Sequence, residues 1–175
     1  MMKSRARVSA AEGITSIDHA LSKEVVDKLQ HYYMPWIDAA LEPLDDWDIW
    51  QRPHDGANSI ANLMLHLEGN VRQWILHGIR GDEDIRKRDD EFRSRDGYTK
   101  LALLIHLRKT VNEACEVIES LSDHEELLRK RTIQDRQSST YNAVFHVVEH
   151  FAYHTGQIVY IAKMISGRDL GFYDL

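Results

Sequence analysis

The sequence predicts an all-α fold, a single-domain four-helix bundle, and three observations lead to it. Four segments carry apolar residues at steps of three and four, the period of an α-helix. No stretch alternates convincingly as a strand would, and there is no internal repeat. Apolar residues make up 43% of the 175-residue chain and charged residues 29%, the balance of a globular protein of one domain with a sizeable core.

The first helix is expected from about Ser16 to Leu41, with Ile17, Leu21, Val25, Leu29, Tyr33, Trp36, Ile37 and Ala40 in helical register. Pro35 should kink or restart it, because proline removes an amide donor and crowds the preceding turn. From Glu42 to Ala57, Pro43, Pro53 and Gly56 break any long helix and leave a connector bearing Trp47 and Trp50. Asn58 or Ser59 can cap a second, mostly buried helix through Ile60, Leu63, Met64, Leu67, Val71, Trp74 and Ile75 to about His77, before Gly78 and Gly81.

Between Asp82 and Arg95 the chain is a run of mixed charge interrupted by Ile85 and Phe92, which predicts a solvated loop or short exposed helix. A third helix fits Thr99 to Leu121, its apolar face traced by Leu101, Leu104, Ile105, Leu107, Val111, Ala114, Ile118 and Leu121. After a polar stretch from Asp123 to Ser139, Ser139 or Thr140 caps a fourth helix to about Ile165, with Gly167 at its stop. The basic residues from Met1 to Arg7 are not followed by an apolar run, so positions 1–14 are expected to be a flexible leader.

With 22 basic and 28 acidic residues the net charge is −6, which argues against nucleic acid or an anionic membrane as partner. No apolar run approaches a membrane span. Cys115 stands alone, so an internal disulfide and a thiolate cluster are excluded and the cytoplasm is the expected compartment.

The histidines carry the chemistry. His19, His31, His54 and His124 fall in polar or boundary settings, and His77 and His106 are single helical histidines that need no ligand role. The fourth helix differs, because His146, His150 and His154 recur every four residues. Successive members are about 6 Å apart along the axis and roughly 40° around it, so two neighbours can grip one ion. The spacing alone does not choose between His146/His150 and His150/His154. The residue after each first histidine is Val147 or Phe151, not the glutamate base of a zinc peptidase.

A third ligand must come from another helix. His66 is the best placed, flanked by Leu63, Met64 and Leu67 on the buried second helix. Burying imidazoles without a cation or hydrogen-bond chain is costly, so a divalent metal is favoured over a structural polar network.

Two stretches carry a family resemblance. The segment from Asn58 to Asn70 around His66, and that from His146 to Ile158 with its His150-x-x-x-His154 ahead of Gly156-Gln157, resemble the motifs of the DinB-like superfamily, including YfiT-like and thiol-dependent transferase proteins. The resemblance covers nearly the whole chain. It implies a metal-binding four-helix bundle with His66, His150 and His154 as ligands, dimer formation, and a transferase using a low-molecular-weight thiol on a small-molecule substrate. The pattern departs at Thr155, where such proteins commonly have Arg. His146 lies outside the triad, as a pocket residue or a core histidine.

Asn70 and Trp74 follow His66 by one and two helical steps and point to similar territory; for Asn70 an interhelical hydrogen bond is the simpler role, orientation of a ligand the sharper one. Glu149 points about 100° away from His150 and is expected to pair with a cation on another helix. Tyr153 and Tyr160 read as amphipathic core residues. Three imidazoles would leave positions open for substrate. No protein nucleophile is needed, and Cys115 belongs to the core. Zinc, nickel, copper and iron all suit such donors. The rival readings are a non-catalytic, metal-stabilised stress-response bundle and a metal-dependent hydrolase. The aromatic residues Tyr32, Tyr33, Trp36, Trp47 and Trp50 are the expected homodimer surface.

Overall fold

The computed structural model describes residues 16–172 apart from position 122, so the expected leader at 1–14 lies outside the described residues. Four long helical rods form the bundle. Ser16 accepts a hydrogen bond from the amide of His19 and opens α1, Ile17–Val26. The rod continues as a π-helical stretch, Asp27–Tyr33, into α2, Met34–Leu41, with Pro35 in its first turn. The restart expected at Pro35 thus takes a specific form: the Met34 amide reaches the Leu29 carbonyl five residues back, loosening the helix where proline cannot donate.

The connector holds a short 3₁₀ turn, Asp48–Trp50. The second rod is α3, Ile60–Val71, continued by a π-helical stretch, Arg72–Arg80, and closed by Gly81 at φ 94°. It runs past Gly78. A side chain there would strike Ile133, so this glycine admits a neighbour rather than ending the helix. The third rod, α5, Lys100–Glu119, is capped by Thr99, and the fourth, α7, Thr140–Ser166, is capped by Ser139 and closed by Gly167 at φ 65°.

Two segments depart from expectation. The charged run contains α4, Arg88–Arg93, which packs on α3 and buries Glu91. After the short α6, His124–Leu128, the polar stretch forms an antiparallel hairpin of β1, Lys130–Ile133, and β2, Arg136–Ser139, paired from Lys130 with Ser139 to Ile133 with Arg136. Gln134 and Asp135 take positive φ of 52° and 58° at its two-residue turn. With only Ile133 fully buried on β1, an alternating apolar signal could hardly appear.

The core runs the length of the bundle and includes Leu29, Ile37, Ile60, Leu67, Leu107, Val111, Phe151 and Ile158, all with no exposure. Truncating one such leucine to alanine costs about 2–5 kcal/mol, so the core sets the rods' spacing firmly. The apolar face of the third rod is narrower than expected, because Leu101 and Ile105 are exposed. Tyr153 and Tyr160, expected in the core, are exposed too. No helix among the described residues is long and apolar enough to cross a membrane.

Candidate metal centre

The centre lies between α3 and α7. A capping box starts α3: Ser59 Oγ accepts from the Asn62 amide and Asn62 Oδ1 accepts from the Ser59 amide. That cap fixes the helix so that His66, two turns later, faces α7 and is only 5% exposed. On α7, Phe151 and Ile158 anchor the buried face, which carries His150 and His154 toward α3.

His66, His150 and His154 come together, each offering a ring nitrogen within 4.8 Å of the other two. Nε2 of His66 and Nε2 of His150 are 2.8 Å apart, and ring centroids separate by 4.9 Å for His66/His150, 5.0 Å for His66/His154 and 4.4 Å for His150/His154. His146 does not join them. Its Nε2 is held 3.1 Å from Asn70 Nδ2, while its ring lies between Trp74 and His150 at centroid distances of 4.2 Å and 5.2 Å. Of the two pairs that spacing allowed, the structure brings His150 and His154 to His66. Asn70 makes the interhelical bond expected of it.

The donor set suits a cation. Glu91 Oε2 is 2.7 Å from Nδ1 of His66, and Arg86 clasps the same carboxylate with Nε to Oε1 at 2.7 Å and Nη2 to Oε2 at 3.0 Å. Burial pushes the Glu91 carboxyl up, but the bonds from His66 and Arg86 outweigh it and hold its pKa below the usual value. The ionised carboxylate therefore accepts, and Nδ1–H of His66 donates to it. Arg86 Nη2 also sits 3.1 Å from that nitrogen, but the shorter contact to an ionised acceptor decides the proton's place. His154 Nδ1 lies 2.7 Å from Gln157 Oε1 and donates to it. The Nε2 lone pairs of His66 and His154 are left free toward the centre.

Burial first, and then the neighbouring imidazoles of His154, His66 and His146, push the His150 pKa down to about 3, so its ring is neutral near pH 7. Imidazoles with an outer ring nitrogen tied to a carboxylate, as at His66, or to a carboxamide, as at His154, form the pattern that orients metal ligands. The fit is good. Without a cation, lone pairs on His66 and His154 would share the single Nε2 proton that His150 can offer.

Sequence reasoning missed the carboxylate. The charge run predicts a solvated loop or short exposed helix around Glu91, whereas its side chain is 9% exposed and that of Arg86 is 3% exposed. The segment is pinned from below: Asn62 Nδ2 donates to the carbonyls of Glu91 at 2.7 Å and Ser94 at 3.0 Å, and Arg52 donates to Ser94 and Phe92. Phe92 covers His66 at a centroid distance of 4.7 Å. A signal existed at Gly69, one turn from His66, where a Cβ would collide with the Glu91 carboxylate and crowd Arg86 Nε at 3.0 Å.

The histidines set aside stay apart from the centre. His77 Nδ1 bonds the Asp82 carbonyl at 2.7 Å, and His19, His31, His54, His106 and His124 are exposed. Glu149 is exposed, and its charge acts on His146. Thr155 is buried without a partner for its hydroxyl.

Fold and site together define a helical bundle with a buried histidine triad that could hold a metal ion. Residues 18–173 match the family described as a protein of unknown function, DUF1572, and the chain belongs to that family. Comparison with the curated proteins finds no match.

Proposed function

We propose that this protein is a DinB-like metalloprotein that binds a divalent transition metal through His66, His150 and His154 and transfers a low-molecular-weight thiol to a small electrophile. The observation that carries the reading is the convergence of three imidazoles, two of which, His66 and His154, are held by their outer nitrogens. A metal held there would supply Lewis acidity, favouring the thiolate at neutral pH.

The chain's own residues do the rest. Glu91 and Arg86 fix the ring of His66, and Gln157 fixes that of His154. His150 is the half-buried member of the triad. Cys115 does not serve as nucleophile in this reading, because burial, then Glu119 and Glu116, push its thiol up to about 12. Both oxygens of Glu91 are engaged, which leaves a hydrolase without a free carboxylate base at this position. The burial of His66 and His154 favours the second reading, a metal that stabilises the bundle without catalysis.

We place the protein in the cytoplasm, with no nucleic-acid or membrane partner, as a homodimer. Tyr33 and Trp50 face inward, Tyr33 stacked on Phe151 and Trp50 bonded to the Tyr98 carbonyl. Tyr32 and Trp47 are exposed, as are Tyr141, Phe145, Tyr153, Tyr160 and Met164 along α7, and these supply the surface for self-association. Light scattering that gives a monomer at high micromolar concentration removes that part.

The functional test is to load the protein with zinc, nickel, copper or iron and assay bacillithiol, mycothiol, glutathione and coenzyme A against electrophiles. Turnover should vanish on chelation and return with added ion. If no thiol binds by calorimetry or alters the spectrum of the cobalt-substituted protein, the non-catalytic reading replaces it.

A further inference from the structure

His66, Gly69 and Gln73 follow one another at steps of three and four, so they share the face of the second rod on which Arg86 and Glu91 lie. Gly69 leaves room for the Glu91 carboxylate and for Arg86 Nε. One turn further, in the π-helical stretch, Gln73 Oε1 accepts from Arg86 Nη1 at 2.9 Å.

The guanidinium needs that oxygen. Its side chain is 3% exposed, its Nε and Nη2 are taken by Glu91, and among the described residues Gln73 is the only acceptor bonded by Nη1. A buried charged donor left without a partner is costly, so removing the oxygen would draw the guanidinium toward water and off the carboxylate.

The surroundings also fix which end of the carboxamide faces Arg86. Gln73 Nε2 donates to Asp84 Oδ2 at 2.7 Å, and Oε1 accepts a second bond, at 2.5 Å, from Gln134 Nε2 at the β1–β2 turn. Exchanging oxygen and nitrogen would set an amino group against the Arg86 cation and an oxygen against the Asp84 carboxylate, so only one orientation suits both neighbours.

We infer that Gln73 is a positioning residue of the metal centre: by holding Arg86 on Glu91, it keeps His66 in the tautomer that turns its Nε2 toward His150 and His154. This rests on metal binding by the triad and not on thiol transfer. Gln73 acts through two links, Arg86 and then Glu91, so its effect on the metal is smaller than that of Glu91.

The test measures zinc affinity by competition against a chromophoric chelator. Gln73→Ala, and independently Gln73→Met, which keeps the length of the side chain, should each weaken binding about three- to tenfold, less than the roughly 10–100-fold loss usual for a group that touches a ligand. In a Glu91→Gln background the same changes should cost much less, because the link they act through is already weakened. Gln73→Glu combined with Asp84→Asn returns an acceptor to Arg86 and a donor to the far side, and should recover most of the affinity. Gln134→Ala, which frees the hairpin turn but leaves Arg86 its acceptor, should bind as the wild type does. Unchanged affinity in both Gln73 variants, an undiminished loss in the Glu91→Gln background, no recovery in the paired variant, or an equal loss in Gln134→Ala overturns the inference. If zinc does not bind the wild type, the metal reading falls by itself, and nitrogen NMR of the metal-free protein decides the positioning. The Nδ1–H of His66 must then show its hydrogen-bonded shift in the wild type and lose it in Gln73→Met; a His66 ring that stays as in the wild type overturns the inference.

Discussion

Glu91 and His66 are 25 positions apart in sequence, yet Oε2 of the one lies 2.7 Å from Nδ1 of the other, and both side chains are nearly fully buried. This bond sets the tautomer that leaves the His66 Nε2 lone pair facing His150 and His154. A carboxylate in that position also raises the basicity of the imidazole it holds.

Replacing Glu91 with Gln keeps a hydrogen-bond acceptor but removes the charge. Metal affinity should fall by about 10–100-fold, the usual loss on changing a group that orients a metal ligand, with the helical content retained. Competition titration against a chromophoric chelator measures it. An unchanged affinity would show that the carboxylate does not act through His66.

Gly69→Ala gives an unusual sign. Alanine for glycine inside a helix normally stabilises by about 1 kcal/mol. Here the added Cβ would displace the Glu91 carboxylate and Arg86, so both melting temperature and metal affinity should drop. A variant that melts higher and binds metal as tightly would refute the packing described.

Cys115 lies 1% exposed in the core, its thiol held up near 12 by burial. The folded protein should resist thiol-specific reagents at pH 8 and react only after denaturation. Cys115→Ala should leave metal content unchanged. Rapid labelling of the native state would contradict the placement.

The metal-free protein should be acid-sensitive. His150 is pushed down to about 3 by burial and its histidine neighbours; burial also lowers His154, against the Gln157 bond, and His146. Unfolded, each returns toward the ordinary value of 6.5, so below it the unfolded chain binds protons that the folded one refuses. Their contribution to stability is complete above pH 6.5 and is lost as the pH falls toward 3. Thermal melts of chelator-stripped protein between pH 7.5 and 4 should show a falling midpoint. A flat profile would mean that the imidazoles are not desolvated.

The rods are legible because helix signals are local: Ser59 and Ser139 cap where expected, the third helix starts at its Thr99 cap, and Gly167 closes α7. His66 could be read from its apolar flanks, while the choice of His154 over His146 came from the family resemblance. The role of Glu91 was hidden, since nothing near it in sequence marks it as buried. Its burial follows from Asn62, Arg52 and the missing side chain at Gly69, all on other parts of the chain. Charge runs are ordinarily solvated, and tertiary contacts overrode that expectation here. The hairpin leaves no apolar signal for a similar reason: Ile133 packs against Gly78, and the rest of β1 and β2 is largely polar.

The most direct test of the central claim is metal content per chain, measured on untagged protein and on four single variants after identical loading with one ion and desalting. His66→Ala, His150→Ala and His154→Ala should each lose most of the bound metal, while His146→Ala, whose ring nitrogen is turned to Asn70, should keep it. Retention of metal in the His154→Ala protein together with its loss in the His146→Ala protein would contradict the account and move the centre one helical turn toward the start of α7.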